Sequence, residues 1–382
     1  MYKLYRLMVQ CETRISKMWQ WQQGRRRDES VPRLYLSRLS CCTVLVLSFC
    51  PHVALGGIPP HTISGVSAGG DMTVNHLVAF SRSVTGAGVV AGAPYGCNLI
   101  GGGRHDRCGS MPPAQGWDQP LQKMRRRIRR RQSRGLIDPI WNLRNTSIFL
   151  YSGQYDRVVT RGVMKALRQQ LRKLVRAPGA IVSEFNVPSA HGWVVDGSQC
   201  ARHSTSCSEC CCAPAPLLNC HGYDLAGQLL GHVLGRPLGE RASRTSPLLR
   251  VSQASYLPVG YSLKSAGMWH TAFVYAPWRC RYAGAGCDIH VHYHGCVWGA
   301  EYLGRDYFRA LGINEWAETA DIIVLFPQAS STVDTGGCWD WTGETGGFFD
   351  TKYGVQLQTV INMVSDLERI VLPLSGNETI QI

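Results

Sequence analysis

The sequence has few charged side chains, and acidic residues are the scarcer class. Only 17% of its 382 residues are Asp, Glu, Lys or Arg, whereas 45% are hydrophobic. A chain of this composition can bury a large core, which argues against extensive disorder. The formal charge of +14 is concentrated, because residues 123–134 alone contain one Lys and seven Arg. The remainder is only mildly basic, so the charge does not indicate a nucleic-acid partner.

No hydrophobic run is long enough for a comfortable membrane span, which needs ~20 residues. The strongest candidate, residues 39–56, follows two arginines, is interrupted by Pro51 and ends in a small-x-small pattern. This arrangement is typical of a secretory signal peptide. We therefore expect residues 1–56 to be a leader and residues 57–382 to be an extracellular domain. The stretch before the run is long for a leader, so Met18 is an alternative start, and a type II membrane anchor is the competing interpretation.

The cysteines and glycosylation motifs fit the same compartment. The chain has 16 cysteines, four of which lie in the expected leader. The rest form an even number, which favours disulfides in an oxidising environment. Asn145 and Asn377 begin N-x-S/T motifs and are candidate glycosylation sites.

The segment HTISGVSAGGDMTV, residues 61–74, contains the clearest catalytic motif. It predicts a strand that enters Gly65-Val66-Ser67-Ala68-Gly69 and continues as a helix, which is the G-x-S-x-G nucleophile elbow of an α/β-hydrolase. A Cβ at either glycine would meet the neighbouring strand or helix, while the tight turn lifts the serine hydroxyl clear of the backbone. Such an elbow normally follows several strands of a parallel sheet, yet almost nothing precedes it here.

The missing strands are predicted after the elbow. Apolar strand-like segments lie at residues 88–96, 147–153, 180–188, 271–277, 288–295 and 321–328. Helical spacing occurs at residues 68–81, 163–174, 224–235, about 304–319 and 357–371. This alternation predicts a mostly parallel sheet with helices on both faces. Because chain ends commonly lie near one another, a circular permutation is physically easy. We therefore predict a circularly permuted α/β-hydrolase fold, with an irregular basic insertion at about 109–140 and a Cys-rich loop at about 197–222.

A serine nucleophile needs a histidine to accept its proton and a carboxylate to fix the tautomer of that histidine. In this fold the order is Ser, acid, His. Asp156 in SGQYDRVV and His191 in SAHGW each follow a predicted strand, so they are the expected partners of Ser67. The oxyanion hole requires two N–H donors. The backbone amide of Ala68 is one candidate, and that of Cys296, in HYHGCVWG, is the other. This chemistry requires no metal or cofactor.

Eight segments in this order carry a family resemblance: SGVSAGG, AGAPYGC, YSGQYDRVV, AHGW, NCHGYDLAGQLL, HVHYHGC, LFPQAS and GCWDWTG. They resemble the circularly permuted secreted polyhydroxybutyrate depolymerases of fungal type, within the wider group that includes feruloyl and acetyl xylan esterases. The resemblance covers about residues 60–370. It implies the same catalytic residues, Ser67, Asp156 and His191, with Ala68 and Cys296 as oxyanion donors.

The resemblance also implies roles for tryptophans and cysteines. Trp339 and Trp341 match a motif near the family's cleft, where an indole could hold a polyester or an aromatic acid; a packed core position is the alternative. Weaker candidates for the same surface are Trp193, Phe348, Phe349 and Tyr353. The family pattern and the local spacings suggest four disulfides: Cys97 with Cys108, Cys200 with Cys220, Cys280 with Cys287, and Cys296 with Cys338.

Three features depart from the family pattern. The run MRRRIRRRQSR is interpreted as a solvated loop, as a convertase-like cleavage site around residues 127–130, or as a contact for acidic polysaccharide. The segment CSECCC, with His203 and Cys200 nearby, has zinc-like spacing, although disulfides are favoured in a secreted chain. Asp71 stands where the family more often has a bulky or apolar residue, and it could alter the acyl pocket.

The sequence therefore favours a secreted serine esterase that depolymerises poly(3-hydroxybutyrate)-type polyester or its oligomers. A feruloyl, acetyl or other small-ester esterase is the enzymatic alternative. A catalytically silent secreted binding protein is the alternative from another class. An intact set of Ser67, Asp156 and His191 argues against it, because a binding role alone does not require all three.

Overall fold

A computed structural model describes residues 57–99, 108, 116–197, 207–209, 213–220, 222–332 and 336–372. Its strands are β1 (His61–Val66), β2 (Val84–Val90), β3 (Ser147–Tyr151), β4 (Ile181–Glu184), β5 (Trp193–Val195), β6 (Cys207–Glu209), β7 (Leu217–Asn219), β8 (Leu248–Ser252), β9 (Thr271–Tyr275), β10 (Asp288–Tyr293) and β11 (Ile322–Phe326). The expected leader and half of the Cys-rich loop lie outside the described residues, as does Asn377.

Eight of these strands form one sheet in the order β4-β3-β2-β1-β10-β11-β9-β8. Neighbouring strands are parallel except that β9 runs antiparallel to both β11 and β8. If the chain were instead read from β8 to β11 and then from β1 to β4, the sheet order would be 1-2-4-3-5-6-7-8. The predicted mostly parallel sheet of a circularly permuted α/β-hydrolase is thereby confirmed. A second, three-stranded sheet has the order β5-β7-β6.

Helices cover both faces of the large sheet. They are α1 (Ala68–Ala79), α2 (Asp118–Ser133), α3 (Arg161–Leu171), α4 (Leu225–Leu234), α5 (Leu263–Ala266), α6 (Ala300–Leu303), α7 (Asp306–Ala310), α8 (Ile313–Ala320), α9 (Val355–Ser365) and α10 (Leu367–Val371). Short 3-10 helices lie at Cys97–Leu99, Ile140–Asn145, Gln253–Tyr256 and Trp278–Cys280. Side chains alternate between two cores, since Ile323 and Leu325 of β11 pack with α1, α3 and α9, whereas Val324 packs with α4, α7 and α8.

Two predicted helices are each divided in the structure. The segment at 304–319 forms α7 and α8, which are separated at Gly312, whose φ of 80° lies in the left-handed region. The segment at 357–371 forms α9 and α10, which meet at Asp366. In both cases the apolar spacing continues across the break, so periodicity alone does not reveal it.

The basic insertion is not irregular as predicted, because residues 118–133 form the long helix α2. Met124 and Ile128 are buried one turn apart and anchor this helix to the core. Arg127 and Arg131 form ion pairs with the two oxygens of Asp350, at 2.9 and 3.0 Å, and the Asp350 side chain is only 1% exposed. The exposed basic residues on α2 are Lys123, Arg125, Arg126, Arg129 and Arg130.

Among the described residues, no helix combines the length and the apolar character that crossing a bilayer requires.

Candidate active site

Ser67 lies at the sharp turn between β1 and α1, near the centre of the large sheet. Its φ of 60° and ψ of −126° are unusual for a residue other than glycine. Two backbone bonds hold this conformation: Ser67 N–H donates to Val90 O at 3.0 Å, and Asp71 N–H donates to Ser67 O at 3.1 Å. A Cβ on Gly65 would lie 2.2 Å from Gly69 O, so the turn closes only because that position is glycine.

His191 lies between Ser67 and Asp156. Its Nε2 is 2.9 Å from Ser67 Oγ, and its Nδ1 is 2.8 Å from Asp156 Oδ2. The other carboxylate oxygen of Asp156 accepts the backbone N–H groups of Val158 and Val159, both at 2.9 Å. With Nδ1–H donating to the carboxylate, Nε2 is left as the acceptor for the Ser67 hydroxyl. The structure thus brings together the three residues that were selected from the sequence.

Two loops meet to form this arrangement. Asp156 follows β3 and His191 follows β4, so both lie beyond the carboxyl ends of parallel strands. A Cβ on Gly153 would lie 2.3 Å from Ser189 O, and Tyr155 N–H donates to Ser189 O at 2.9 Å. The lack of a side chain at Gly153 therefore allows the acid loop to pack directly against the histidine loop.

The two candidate oxyanion donors come from adjoining pieces of backbone. Ala68 begins α1, and Cys296 follows β10. A Cβ on Gly69 would lie 2.2 Å from Tyr293 O, so the first turn of α1 lies directly against the end of β10. A disulfide joins Cys296 to Cys338 and restrains this loop.

Trp298 belongs to the site, and the sequence interpretation missed it. Its ring centroid is 5.7 Å from that of His191. A Cβ on Gly295 would lie 2.3 Å from the Trp298 ring, so the glycine permits this indole to fold back towards His191. The residue lies in the same HYHGCVWG segment that suggested the oxyanion donor, which is the signal that could have identified it.

The two tryptophans proposed for substrate contact have different environments. Trp339 is 0% exposed and packs against Tyr293 and His294, at centroid distances of 5.0 and 5.3 Å. It occupies the core position that was the alternative interpretation and does not reach the surface of the cleft. Trp341 is half-buried, and its carbonyl accepts the side-chain N–H of Asn98 at 3.2 Å.

The weaker aromatic candidates also differ in burial. Trp193 is fully buried and donates its indole N–H to Leu311 O at 2.9 Å, so it is a core residue. Phe349 is buried as well, whereas Phe348 and Tyr353 are exposed.

Three of the four suggested cysteine pairs are joined in the structure: Cys97 with Cys108, Cys280 with Cys287, and Cys296 with Cys338. Cys220 is also disulfide-bonded, while its suggested partner Cys200 lies outside the described residues. The zinc-like segment, including His203, is likewise outside the described residues apart from the backbone of β6. Asn145 is exposed at the end of a 3-10 turn.

A chain of buried histidines lies beneath the elbow. His76 Nδ1 is 2.7 Å from the Tyr293 hydroxyl, His76 Nε2 is 3.1 Å from His61 Nε2, and His61 Nδ1 is 2.8 Å from Pro59 O. The carbonyl of Pro59 can only accept, so His61 donates through Nδ1 and accepts from His76 through Nε2. His76 in turn accepts from the Tyr293 hydroxyl. Each ring nitrogen of His61 and His76 thus has a hydrogen-bond partner while both imidazoles are neutral.

A second buried set links β1 to β10. Ser64 Oγ is 2.7 Å from His290 Nε2 and 2.9 Å from His292 Nδ1, while His292 Nε2 has no hydrogen-bond partner within the described residues. Burial lowers the pKa of His61 and His294 to about 4 and that of His290 to about 3. Burial also holds the pKa of His76 and His292 well below the usual range. These histidines are therefore neutral parts of the core at neutral pH.

A scan against protein-family models found no match. Among curated proteins, the chain is 34% identical over 315 residues to a poly(3-hydroxybutyrate) depolymerase of Delftia acidovorans, covering 79% of this chain. The chain spans only 58% of the length of that relative. It is also 28% identical over 323 residues to a polyhydroxybutyrate depolymerase of Talaromyces funiculosus, covering 80% of this chain and 88% of the relative.

Two solved structures are also similar to this chain. A PHB depolymerase variant complexed with an R3HB trimer superposes with a TM-score of 0.68 at 25% identity. The PHB depolymerase from Penicillium funiculosum superposes with a TM-score of 0.67 at 26% identity. Each comparison covers 82% of this chain and 99% of the solved chain. The structural similarity therefore extends over nearly the whole of both solved chains.

Proposed function

We propose that this chain is a serine carboxylic ester hydrolase of the polyhydroxybutyrate depolymerase type, because it resembles those enzymes in sequence and in fold. Its proposed substrate is a poly(3-hydroxybutyrate)-type polyester or its oligomers. The observation that carries the proposal is the pair of hydrogen-bond distances that join Ser67, His191 and Asp156. The names of the relatives supply the substrate class, since one solved relative is complexed with an R3HB trimer.

The proposed reaction has two stages. Ser67 Oγ attacks the ester carbonyl while His191 Nε2 accepts the hydroxyl proton. The ester C–O bond then breaks, and His191 returns the proton to the departing alcohol oxygen, which leaves an acyl group on Ser67. A water molecule, deprotonated by His191, then attacks this acyl group. The bond between the acyl group and Ser67 Oγ breaks, His191 returns the proton to Ser67 Oγ, and the carboxylic acid is released. Asp156 remains ionised and orients the imidazole through Nδ1–H.

The backbone amides of Ala68 and Cys296 are proposed to hold the negative oxygen that forms in each stage. Preorganised donors of this kind contribute roughly 10²- to 10³-fold each to the rate. Contact between the first turn of α1 and the end of β10 supports this assignment, because it sets the two segments side by side. The Cys296–Cys338 disulfide would hold the second donor in place.

We further propose that the protein is secreted after removal of residues 1–56 and that its disulfides form in the secretory pathway. Exposed Arg125, Arg126, Arg129 and Arg130 of α2 are proposed to contact acidic polysaccharide. Replacing these four arginines by glutamine should lower the salt concentration that elutes the protein from heparin. An unchanged elution position would rule out this contact.

The function is tested with the full chain produced through a secretory pathway, beside its Ser67→Ala variant. Soluble 3-hydroxybutyrate released from amorphous poly(3-hydroxybutyrate) granules is measured, and a fluorophosphonate probe reports an activated serine. We expect release and labelling by the parent alone. Equal release by both proteins would refute the mechanism. No release by a folded and labelled parent would move the substrate assignment to small aryl or feruloyl esters.

A further inference from the structure

A narrow recess opens one helical turn beyond Ser67. Its polar lining comes from Asp71, Asn75 and Asn98, and its apolar lining includes Pro94, Trp341 and Phe349. Asp71 is attached directly to the elbow, because its N–H donates to Ser67 O at 3.1 Å. This recess, here called the Asp71 recess, therefore begins in the first turn of α1, next to the elbow that carries Ser67.

Only one oxygen of the Asp71 carboxyl is hydrogen-bonded to a described residue. Its Oδ1 accepts the N–H of Ala93 at 2.6 Å, whereas its Oδ2 makes no hydrogen bond to any described residue. Burial raises the pKa of Asp71 to about 7, while the Ala93 amide and the nearby His191 act in the opposite direction. One carboxyl oxygen near the catalytic histidine is thus free to accept a hydrogen bond.

Asn75 provides the second observation. It lies one further turn along α1 and is 6% exposed, yet its side-chain amide has no hydrogen-bond partner among the described residues. The Asn98–Trp341 bond fixes the opposite wall. Asp71 Oδ2 and the Asn75 amide, which make no hydrogen bond to a described residue and line one recess, are suited to a polar group supplied by the substrate.

The chemistry of these two side chains selects that group. A carboxyl oxygen that accepts and an amide that both donates and accepts complement a hydroxyl group. The same carboxylate would repel a second carboxylate. A 3-hydroxybutyrate chain ends in a hydroxyl at one terminus and in a carboxylate at the other. Its hydroxyl end always lies on the acyl side of the ester bonds.

We propose that the Asp71 recess binds a free hydroxyl on the acyl unit that Ser67 attacks, with Asp71 as acceptor and Asn75 as the second partner. Esters with a 3-hydroxyacyl group are then preferred over esters with the plain acyl group. Asp71 and Asn75 are specificity residues in this assignment, which rests on the proposed esterase function.

The test compares 4-nitrophenyl 3-hydroxybutyrate with 4-nitrophenyl butyrate, which lacks only the hydroxyl. A hydrogen bond to a charged group supports a preference in kcat/KM of about 10- to 100-fold for the hydroxy ester. Asp71→Asn keeps an acceptor for Ala93 N–H but sets an N–H donor in place of Oδ2, so the preference should fall by about tenfold. Asn75→Ala should lower it as well and serves if Asp71→Asn does not fold. The surface variant Asp306→Asn should retain the parent's preference.

The outcomes are separable. Hydrolysis of both esters with a ratio near one, or with a ratio unchanged in both recess variants, overturns the recess and leaves the esterase function standing. Failure of the folded parent to hydrolyse either ester or to react with a fluorophosphonate overturns the esterase function, and the recess with it. Thermal unfolding of each variant verifies that it is folded.

Discussion

Ser67 has a backbone conformation that side-chain-bearing residues rarely adopt, and its surroundings enforce it. The N–H and C=O of Ser67 are both bonded to neighbouring backbone, and the adjoining segments pack too closely for a side chain at Gly65 or Gly69. Strain of this kind persists only where the rest of the fold determines it. The elbow therefore depends on backbone contacts that the side chains of Ser67, Asp156 and His191 do not provide.

Replacing Asp156 by asparagine tests the role of the carboxylate. The neutral amide lacks the negative charge to which Nδ1–H of His191 donates, so the imidazole loses its preferred tautomer. We expect kcat for a 4-nitrophenyl ester to fall about 10⁴-fold, as in the serine protease precedent. Asp306→Asn, at an exposed site, should retain the parent's kcat. A loss of less than tenfold in a folded Asp156→Asn protein would contradict the assignment.

Gly69→Ala tests the contact between the elbow and β10. The added methyl group would stand 2.2 Å from Tyr293 O and 2.5 Å from His294 O, both backbone atoms that cannot move independently. Strain from overpacking typically costs about 1–3 kcal/mol, so urea unfolding should show a loss of that order, together with a lower kcat. Gly347→Ala is the matched control, because a Cβ there meets nothing within 4 Å. Equal stability of the two variants would contradict the packing described.

At the scale of the element, α2 shows where sequence patterns fail. Seven arginines in a short run obscure the two apolar positions, Met124 and Ile128, that define its buried face. Their spacing of four residues was the available signal. The ion pairs with Asp350 could not be predicted, because that carboxylate lies more than 200 residues away in the sequence and reaches α2 only through the fold.

Asp350→Asn tests the attachment of α2. The amide cannot compensate Arg127 and Arg131, so two charge-assisted contacts weaken at once. Hydrogen bonds to charged groups contribute about 1.5–3 kcal/mol, and we expect a loss of about 2–3 kcal/mol in the free energy of unfolding measured with urea. Asp288→Asn removes an exposed pair with Arg236 and should cost less than about 1 kcal/mol. A larger loss of unfolding free energy for Asp288→Asn than for Asp350→Asn would contradict this interpretation.

At the scale of the whole molecule, the mostly parallel sheet and the strand-end positions of Ser67, Asp156 and His191 could be predicted from the sequence. Alternating apolar segments specify a parallel sheet, and such a sheet presents its functional loops at one edge. Burial of particular side chains could not be predicted in the same way. Trp339 and Asn75 carry no local signal of their environment, because each is surrounded by residues distant in the sequence.

The buried histidines predict a pH dependence of stability. His61, His76, His290, His292 and His294 have lowered pKa values, so below about 6.5, their usual value, the unfolded chain binds more protons than the folded one. The free energy of unfolding should therefore fall as the pH drops from about 6.5 towards 4. Asp71, with its raised pKa, opposes this trend by at most one proton.

Urea unfolding at several pH values checks this expectation. His292→Phe removes one histidine of the set, so the slope between pH 6 and 5 should decrease by up to about 1.4 kcal/mol per pH unit, the equivalent of one proton. His270→Asn, at an exposed position, should keep the parent's slope. A flat profile from pH 7 to 5 in the parent would contradict neutral burial of the histidines.

The order of the strands also bears on biosynthesis. A ribosome makes β1 and Ser67 early, but the partner strand β10 comes much later, since Gly65 pairs with Tyr293. Chains fold as they emerge, and contacts between distant segments form slowly. The nascent chain therefore carries Ser67, the proposed nucleophile, through most of translation without Cys296, the proposed second oxyanion donor. Under the proposed mechanism, full hydrolytic activity is withheld until translation has passed β10 and the loop that follows it.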